Sequence, residues 1–333
     1  MYQSFLAEFP IELWGDELIL GVSGGSDSVA LAHLASTINR ESGHRKKICL
    51  AHVNHQLRGD ESDGDEEFVR NLAVELECDF HSWQVALSMG NQGEGQESRL
   101  RDLRYRLLGA LARERSCRCI ALAHHRDDQV ETILFRIFRG TSLKGLQGIP
   151  ASREIETGIS VVRPLINTSR KQIHEYLANQ GRSYRTDSSN LKDGPTRNWI
   201  RNELMPQLEN RLGHSVSANI SGLGKQVFAI QLMLDQFAIK LAEKCVLALN
   251  VDFLELNHDL VVNAETVILQ QMLVQLWARQ SWPQRDMNRE KWEGLARFMQ
   301  QYPPSSGRME LPGNISATIN STGTIRLQSS NLD

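Results

Sequence analysis

The sequence lacks the features that mark membrane and secreted proteins. No apolar run approaches the roughly 18 residues of a transmembrane helix, and the mean hydropathy is -0.36. The opening stretch, MYQSFLAEFPIELWGDE, contains acids and no basic segment, which argues against a signal peptide. The cysteines are few, odd in number and scattered: Cys49, Cys78, Cys117, Cys119 and Cys245. This usage excludes a disulfide framework, so we expect a cytoplasmic protein with no membrane partner.

Three familiar binding motifs are also missing. Cys117 and Cys119 form a C-x-C pair with no second pair nearby, which favours buried thiols over a zinc or iron–sulfur site. The chain has no G-x-x-x-x-G-K-[ST], so no Walker lysine is available for phosphates. It has no G-x-G-x-x-G either, which disfavours a dinucleotide fold.

The charge is small in total and uneven in distribution. The net charge is -3, but the segment from Arg99 to Arg211 holds 21 Lys and Arg against 12 Asp and Glu. The stretch DESDGDEEF, from Asp60 to Phe68, holds six acids. A basic middle segment can steer a polyanion to one face, and solvated helix faces with paired charges explain it about equally well.

Apolar strands alternate with amphipathic helices over the first half of the chain. ELILGV, KICLAHV, FHSWQVAL and CIALAH are predicted strands, and helices are predicted after each of them. Gly140 is expected to end the helix DDQVETILFRIF. This alternation predicts an α/β fold, a parallel sheet with helices on both faces.

The pattern changes after residue 150. A helix capped by Thr168 or Ser169 is followed by the polar loop TDSSNLKDGPT and by a helix that Pro206 should kink or restart. Signals from Ser215 to about Gln301 are almost all helical, and short strands end the chain. The predicted core stripes are Leu232, Leu234, Phe237, Leu241, Leu269, Met272, Leu273 and Leu276. We therefore expect two domains, 1–215 and a mainly helical 216–333 with terminal short strands.

The turn SGGSDS lies between a predicted strand and a predicted helix. It comprises Ser23, Gly24, Gly25, Ser26, Asp27 and Ser28. Backbone N–H groups, hydroxyls and a helix N-terminus together suit a phosphate. Asp27 would repel that phosphate unless Mg2+ lies between them, so it is a candidate metal ligand. The plain alternative is an ordinary tight strand–helix turn, and the serines and aspartate shift the balance toward phosphate.

This turn resembles the signature of the PP-loop ATP pyrophosphatases, which split ATP into AMP and pyrophosphate. Further stretches resemble one branch of that superfamily, the tRNA(Ile)-lysidine synthases. They are AHVNHQLRGDESDGDEEFV, ESRLRDLRYRLL, ALAHHRDDQVETILFRIFRGTSLKGLQGI, RPLI, YRTDSSN and RNWIRNELMPQL, in the expected order. The likeness is dense over about residues 17–210. It implies a Rossmann-like sheet of the PP-loop type, with ATP and Mg2+ as cofactors.

The resemblance also implies a reaction. ATP adenylates the C2 carbonyl oxygen of the cytidine at the first anticodon position of tRNA(Ile) with the CAU anticodon. Free L-lysine then displaces AMP and leaves lysidine. Because the lysine amine has an unperturbed pKa of about 10.4, a carboxylate or a desolvating pocket must help to deprotonate it. Asp128 and Glu131 are both candidates for that carboxylate. The C-terminal domain and the basic middle segment are expected to bind the tRNA.

Other site residues follow partly from chemistry and partly from the resemblance. His124 and Asp128 are four residues apart, so they share a helix face if the helix begins before them. Both are predicted to be catalytic, and Asp128 is also a predicted metal ligand. Arg101 and Arg104 suit phosphate, Arg104 catalytically and Arg101 toward the tRNA. The resemblance places His52 and Val53 beside adenine. Arg139 is implied on the tRNA side, and Arg197, Asn198 and Arg201 are interpreted as lining the substrate entrance, with a structural cap as the close alternative.

Several residues have a simpler interpretation. Asp127 is expected to be a helix N-terminal acid. His52 and His55 could suggest a metal-binding pair, but no third ligand has a suitable spacing in the sequence. Trp199 could stack a base, although a buried tryptophan is commoner, and Trp277, Trp282 and Trp292 are expected to pack in a core or a domain interface.

Two other functions compete. A PP-loop tRNA thiolation enzyme would need a persulfide cysteine or a cluster-binding C-x-x-C, which this chain lacks. A nucleotide-sensing RNA-binding module without turnover is disfavoured by Asp27, His124 and Asp128.

Overall fold

The computed structural model describes residues 1–56, 59–85, 96–185, 195–301, 307–320 and 323–330. The chain divides into two compact units, Met1–Val227 and Phe228–Asp333. The functional division at residue 215 stays a prediction, because compactness alone assigns no role. No helix among the described residues has the length and apolar character needed to cross a bilayer.

The first unit contains one sheet and nine complete helices among the described residues. Its strands are β1 (Glu17–Gly21), β2 (Lys47–Asn54), β3 (Asp79–Gln84), β4 (Cys119–Leu122), β5 (Ser152–Glu156) and β6 (Ile159–Val162). Its helices are α1 (Tyr2–Glu8), α2 (Ser26–Glu41), α3 (Asp60–Glu75), α4 (Gln96–Glu114), α5 (Arg126–Phe138), α6 (Leu143–Leu146), α7 (Arg170–Asn179), α8 (Pro195–Trp199) and α9 (Met205–Leu212). A 3-10 turn spans Ile11–Trp14 and a π-helical segment spans Ile200–Leu204. The helix α10 (Val216–Cys245) crosses the division between the units.

The sheet of the first unit has the strand order β3-β2-β1-β4-β6-β5. All neighbouring pairs are parallel except β5 with β6. The chain adds β2 and β3 on one side of β1, then crosses to place β4 on the other side. In open α/β sheets such a reversal leaves a crevice at the carboxyl ends of the strands, where ligands bind. Here the crevice lies after β1 and β4.

The side chains of β1 alternate between two cores. Leu18 and Leu20 belong to a buried cluster with α2, whereas Ile19 packs with Leu108 and Leu111 of α4. Successive side chains of a strand point to opposite faces, so both faces of this sheet are covered by helices. The predicted α/β class is confirmed.

Three local signals acted as predicted. Ser169 caps α7 through a reciprocal pair of hydrogen bonds with Gln172. Gly140, with φ of 75°, follows the C-cap of α5 in the conformation that glycine adopts most easily. Pro206 lies at the start of α9, directly after the π-helical segment, so the helix restarts there. Most of the predicted loop TDSSNLKDGPT lies outside the described residues.

The second unit combines helices with an antiparallel sheet. Its strands are β7 (Val246–Leu249), β8 (Phe253–Asn257), β9 (Gly307–Leu311), β10 (Ile315–Ile319) and β11 (Thr324–Ser329) in the order β7-β8-β11-β10-β9. Its other helices are α11 (His258–Val262), α12 (Thr266–Arg279) and α13 (Arg289–Met299). The terminal strands are confirmed, but the all-helical prediction for 215–301 is wrong at β7 and β8. Asn250 joins them by accepting N–H bonds from Asp252 and Phe253, a turn signal in a short polar stretch.

The predicted core of the second unit is partly correct. Leu269, Met272, Leu273 and Leu276 are buried, and Trp277 and Trp282 pack edge to face beside them. The stripe predicted on α10 is correct at Leu241, which packs against the core, and wrong at Leu232 and Phe237, which are exposed. This helix is apolar on more than one face, so periodicity did not single out the inner one.

Candidate active site

The SGGSDS turn forms a compact loop between β1 and α2. The Ser28 hydroxyl donates to the Gly25 carbonyl at 3.0 Å and accepts the Ser23 N–H at 3.2 Å. Ser23 and Ser28 hydroxyl oxygens are also 3.2 Å apart. These bonds hold the loop closed on itself, so its shape is set before any ligand arrives. Gly24, with φ of 94°, adopts a backbone conformation that other residues rarely take.

The open end of α2 faces this loop. Its N-cap is Gly25, which provides no side-chain cap, so the first-turn N–H groups remain available to an anion. Arg185 lies beside the loop: its N–H bonds the Gly24 carbonyl at 3.0 Å, and its guanidinium pairs with Asp65 at 2.9 Å. The arrangement has the donor geometry that a phosphate chain requires.

The N-terminus of α5 lies next to the loop and is capped by His125. The His125 ring accepts the Asp127 N–H at 3.2 Å, and the Asp128 carboxylate accepts the His125 backbone N–H at 2.9 Å. Asp127, in the first turn as predicted, also accepts the Arg170 N–H at 2.9 Å and so ties α5 to α7. The consecutive histidines and aspartates therefore build a cap with a defined orientation.

Three carboxylates surround the buried His125 ring. Nε2 is 3.5 Å from Asp27 and 3.7 Å from Asp128, and Nδ1 is 3.6 Å from Asp127. Burial opposes protonation, but Asp128, Asp127 and Asp27 together raise the pKa of His125 to about 10. Burial likewise opposes ionisation of Asp27, and its hydrogen bond to His125 lowers the pKa of this carboxyl. The ring thus links Asp27 of the SGGSDS loop to α5.

His124 directly precedes His125, the N-cap of α5. The helix begins at Arg126, so the condition for a shared helical face of His124 with Asp128 is not met, and His125 makes that link instead. Burial holds the pKa of His124 well below its ordinary value, with repulsion from Arg163, Arg101 and Arg104 adding to it. His124 is therefore a neutral ring beside an arginine cluster.

The arginine cluster contains one fully buried member. Arg163 is only 2% exposed, donates to the Pro150 carbonyl at 2.7 Å and to the Tyr105 hydroxyl at 3.0 Å. Arg104 is solvent-accessible, yet desolvation lowers its pKa, as expected for a guanidinium in a concave surface. The Arg101 guanidinium lies 5.7 Å from the Tyr105 ring centroid. Together they make this side of the crevice attractive to anions.

Glu131 and Arg201 form a bidentate ion pair. The Arg201 Nε and Nη2 atoms donate to the two carboxylate oxygens of Glu131 at 2.6 and 2.8 Å. Burial raises the pKa of Glu131, against the opposing effect of Arg201. Arg201 belongs to the π-helical segment, a feature often found at functional sites. Both oxygens of Glu131 are engaged by this one guanidinium, whereas the partner of Asp128 is His125.

The two residues predicted to lie beside adenine, His52 and Val53, are at the end of β2. His52 is buried and its Nδ1 is 2.8 Å from the Val22 carbonyl, while burial lowers its pKa. Val53 is half-buried at the end of the same strand. Burial, with Arg104 and His52 nearby, lowers the pKa of His55 to about 4. These rings are neutral and adjacent to the SGGSDS loop.

Of the residues predicted for the substrate entrance, Arg197 and Asn198 lie on α8 and Arg201 on the π-helical segment, while Arg139, predicted for the tRNA side, directly follows α5. Arg139 and Arg197 each place a guanidinium 5.3 Å from the Phe135 ring centroid. Asn198 and Trp199 follow on α8. The expectation of a buried Trp199 is wrong, because the side chain is 42% exposed. The end of α8 therefore presents the exposed aromatic ring of Trp199.

The donor set around His125 fits a magnesium ion that is shared with phosphates. Among the described residues no group of three His, Cys, Asp or Glu is arranged as a protein-only metal site. Mg2+ usually takes one or two carboxylates and fills its remaining positions with phosphate and water oxygens. Asp27 and Asp128, both facing the same imidazole nitrogen, match that requirement.

Sequence reasoning missed three residues of this site. His125, Arg163 and Arg185 were not among the predicted site residues. The signal for His125 was the second histidine before two aspartates, a pattern that suits a helix cap. Burial of an arginine is not visible in a sequence, so Arg163 could be found only from the structure.

The five cysteines are all free, and desolvation raises their pKa values. Burial raises the pKa of Cys49 and Cys119 to about 12 and that of Cys78 to about 11. Thiolates are the reactive form, so these thiols lack the lowered pKa of a sulfur carrier.

We expect iodoacetamide at about pH 8 to leave the native protein unmodified while alkylating all five cysteines after unfolding in urea. Mass spectrometry of the intact chain measures both states. Fast alkylation of one cysteine in the native protein would contradict the prediction and revive a thiolation chemistry.

Comparison with known proteins agrees with this architecture. The PP-loop domain family matches residues 2–208. The tRNA(Ile)-lysidine synthase of Chlorobaculum tepidum is 36% identical over 69% of this chain and 68% of its own length. That of Bacillus subtilis is 37% identical over 62% of this chain, but the match spans only 43% of the relative.

A solved structure shares the fold at low sequence identity. The U34-tRNA thiolase NcsA of Methanococcus maripaludis, solved with its [4Fe-4S] cluster, superposes with a TM-score of 0.57 over 68% of this chain and 78% of its own. At 16% identity the likeness concerns the fold alone.

Proposed function

The chain belongs to the PP-loop family, and within it to the tRNA(Ile)-lysidine synthases, and from this premise we propose that it joins free L-lysine to a tRNA cytidine. The proposed acceptor is C2 of the cytidine at the first anticodon position of tRNA(Ile) with the CAU anticodon. ATP is the activating substrate, and AMP and pyrophosphate are the products. The observation that carries the proposal is the meeting of Asp27 with His125 and Asp128 at the crevice between β1 and β4.

The loop and the start of α2 bind the pyrophosphate portion of ATP. The first-turn N–H groups and the hydroxyls of Ser23 and Ser26 donate to phosphate oxygens, and the helix dipole favours their charge. His52 and Val53 border the adenine. Asp27 and Asp128 would hold Mg2+, which when bound would neutralise negative charge on the leaving pyrophosphate.

The first step forms a bond between the C2 carbonyl oxygen of cytosine and the α-phosphorus of ATP. The bond from that phosphorus to the bridging oxygen breaks, and pyrophosphate leaves. The cytosine must leave the anticodon stack for its C2 edge to be reached. Arg104 and the neighbouring cations stabilise the adenylated nucleotide in an environment where desolvation strengthens their attraction.

In the second step the lysine amine bonds to C2 and AMP leaves with the oxygen. The amine must arrive deprotonated. Asp128 and Glu131 remain the two candidates for the acceptor of this proton: Arg201 pairs with both oxygens of Glu131, and Asp128 accepts the His125 N–H. Burial raises the pKa of Asp128, which makes it a better proton acceptor than an exposed aspartate.

Radiolabelled lysine incorporation tests the proposal. The protein is incubated with ATP, Mg2+ and transcripts of isoleucine or methionine tRNA, both with the CAU anticodon. We expect label on the isoleucine transcript only. Label on neither transcript, with AMP and pyrophosphate released on another acceptor, would retain the PP-loop chemistry and reject lysine. Absence of any nucleotide turnover would favour a binding module.

A further inference from the structure

An exposed pair of aromatic rings lies at the C-terminal end of α5. Phe138 and Trp199 are 52% and 42% exposed, and their ring centroids are 6.0 Å apart with an interplanar angle of 50°. We call this pair the aromatic platform. Large exposed apolar groups that adjoin one another are uncommon on a soluble surface and mark contact sites.

The platform is carried by the same two segments as the active site. His125 and Asp128 begin α5 and Phe138 ends it, so the platform lies about 15 Å along the helix from Asp128 at 1.5 Å per residue. Trp199 immediately precedes the π-helical segment whose Arg201 binds Glu131. A ligand that reaches the crevice along α5 passes the platform.

The segment that carries Phe138 has charge of a single sign. The segment from Thr132 to Arg153 contains four basic residues, Arg136, Arg139, Lys144 and Arg153, and no acid. Arg139 directly follows Phe138 and is exposed, and Arg197 lies two residues before Trp199. The Arg136 guanidinium donates to the Gly145 and Gly148 carbonyls at 2.8 and 2.9 Å, and Arg139 and Arg197 each lie 5.3 Å from the Phe135 ring centroid. Such a surface is complementary to a polyanion.

We propose that Phe138 and Trp199 stack on an unpaired nucleotide of the RNA substrate, while Arg139 contacts the adjoining phosphate. The proposal rests on the proposed function for the identity of that RNA. Proteins that bind unpaired nucleotides combine aromatic faces, which accept any base, with arginines that follow the backbone. The platform holds the anticodon loop open beside the crevice and leaves the reacting cytidine to the active site.

Binding of a fluorescent anticodon stem–loop of isoleucine tRNA tests this proposal. We expect Phe138→Leu and Trp199→Leu each to raise the Kd by about 5- to 150-fold, the range of base–aromatic stacking. Trp199→Phe should retain most of the affinity. Leu13→Ala, at an apolar side chain 65% exposed in the 3-10 turn Ile11–Trp14, is the control and should bind as the wild type does.

Salt dependence separates stacking from charge. The slope of log Kd against log salt concentration should be unchanged in Phe138→Leu and shallower by about 0.7 in Arg139→Gln, which removes one phosphate contact. A hairpin lacking the stacked base should bind wild type and Trp199→Leu equally. Melting temperatures check that the variants are folded.

The outcomes are distinct. Wild-type affinity in both leucine variants would overturn the platform and leave the proposed function standing. Unchanged affinity together with a changed sedimentation coefficient would identify the face as a protein interface, which also overturns the proposal. Failure of the wild-type protein to bind the hairpin would overturn this inference, whereas the proposed function is overturned only if the full isoleucine transcript accepts no lysine.

Discussion

Asp27→Asn is expected to lower the rate of lysine incorporation by about 10²- to 10³-fold, the cost of losing one preorganised electrostatic group. The amide keeps the size of the side chain but removes the charge that faces His125 at 3.5 Å and that would bind Mg2+. Single-turnover release of pyrophosphate measures the effect on the first step directly. The loss should remain at saturating ATP, because the charge acts mainly in the transition state.

Asp127→Asn is the matched control. Asp127 also faces the His125 ring, but its carboxylate accepts the Arg170 N–H and caps α7. We expect a smaller loss of activity and a lower melting temperature. Equal kinetic losses in the two variants would contradict the assignment of Asp27 to the phosphate side of the ring.

Arg201→Ala is expected to destabilise the first unit by about 3 kcal/mol, at the low end of the range for breaking a buried ion pair. The variant leaves Glu131, which is 6% exposed, charged and without its bidentate partner. The Arg201 side chain is 21% exposed, so solvent screens the ion pair in part, and we expect a loss of stability at the low end of that range. Urea unfolding followed by hydrogen exchange of α5 and α9 peptides measures the first unit separately.

Two variants control this measurement. Arg182→Ala breaks the exposed pair with Glu75 and should cost less than about 1 kcal/mol. The double variant Glu131→Gln with Arg201→Met should recover much of the lost stability, because no buried charge is left unpaired. If Arg201→Ala and Arg182→Ala cost the same free energy, the buried pair has no special role.

The strand–helix alternation and the position of the phosphate loop followed from local signals. Apolar runs, the glycine-rich turn and Ser169 and Gly140 act through neighbours in sequence, so their effects are visible without a fold. In the second unit, local signals did not predict which helix face is buried. A helix that is apolar on several faces, such as α10, does not reveal which face packs, and the exposed Leu232 and Phe237 show the consequence.

The candidate active site shows the same difference between what local sequence signals predict and what tertiary contacts decide. Motifs indicated Asp27, Asp128 and Glu131 but could not distinguish the two α5 carboxylates. The structure shows their different partners: Arg201, far along the chain, pairs with Glu131, whereas Asp128 accepts the His125 N–H. The role of His125 likewise depends on Asp27, which another strand brings within 3.5 Å.

The sequence by itself determined the α/β class, the phosphate loop after β1 and the residue types at the crevice, because these depend on periodicity and on short-range backbone chemistry. Only the tertiary structure decided which charges meet, which arginine is buried and which aromatic rings remain exposed. Those properties depend on distances between segments that are remote in the chain, and burial then sets the pKa values and pairing energies that the chemistry uses.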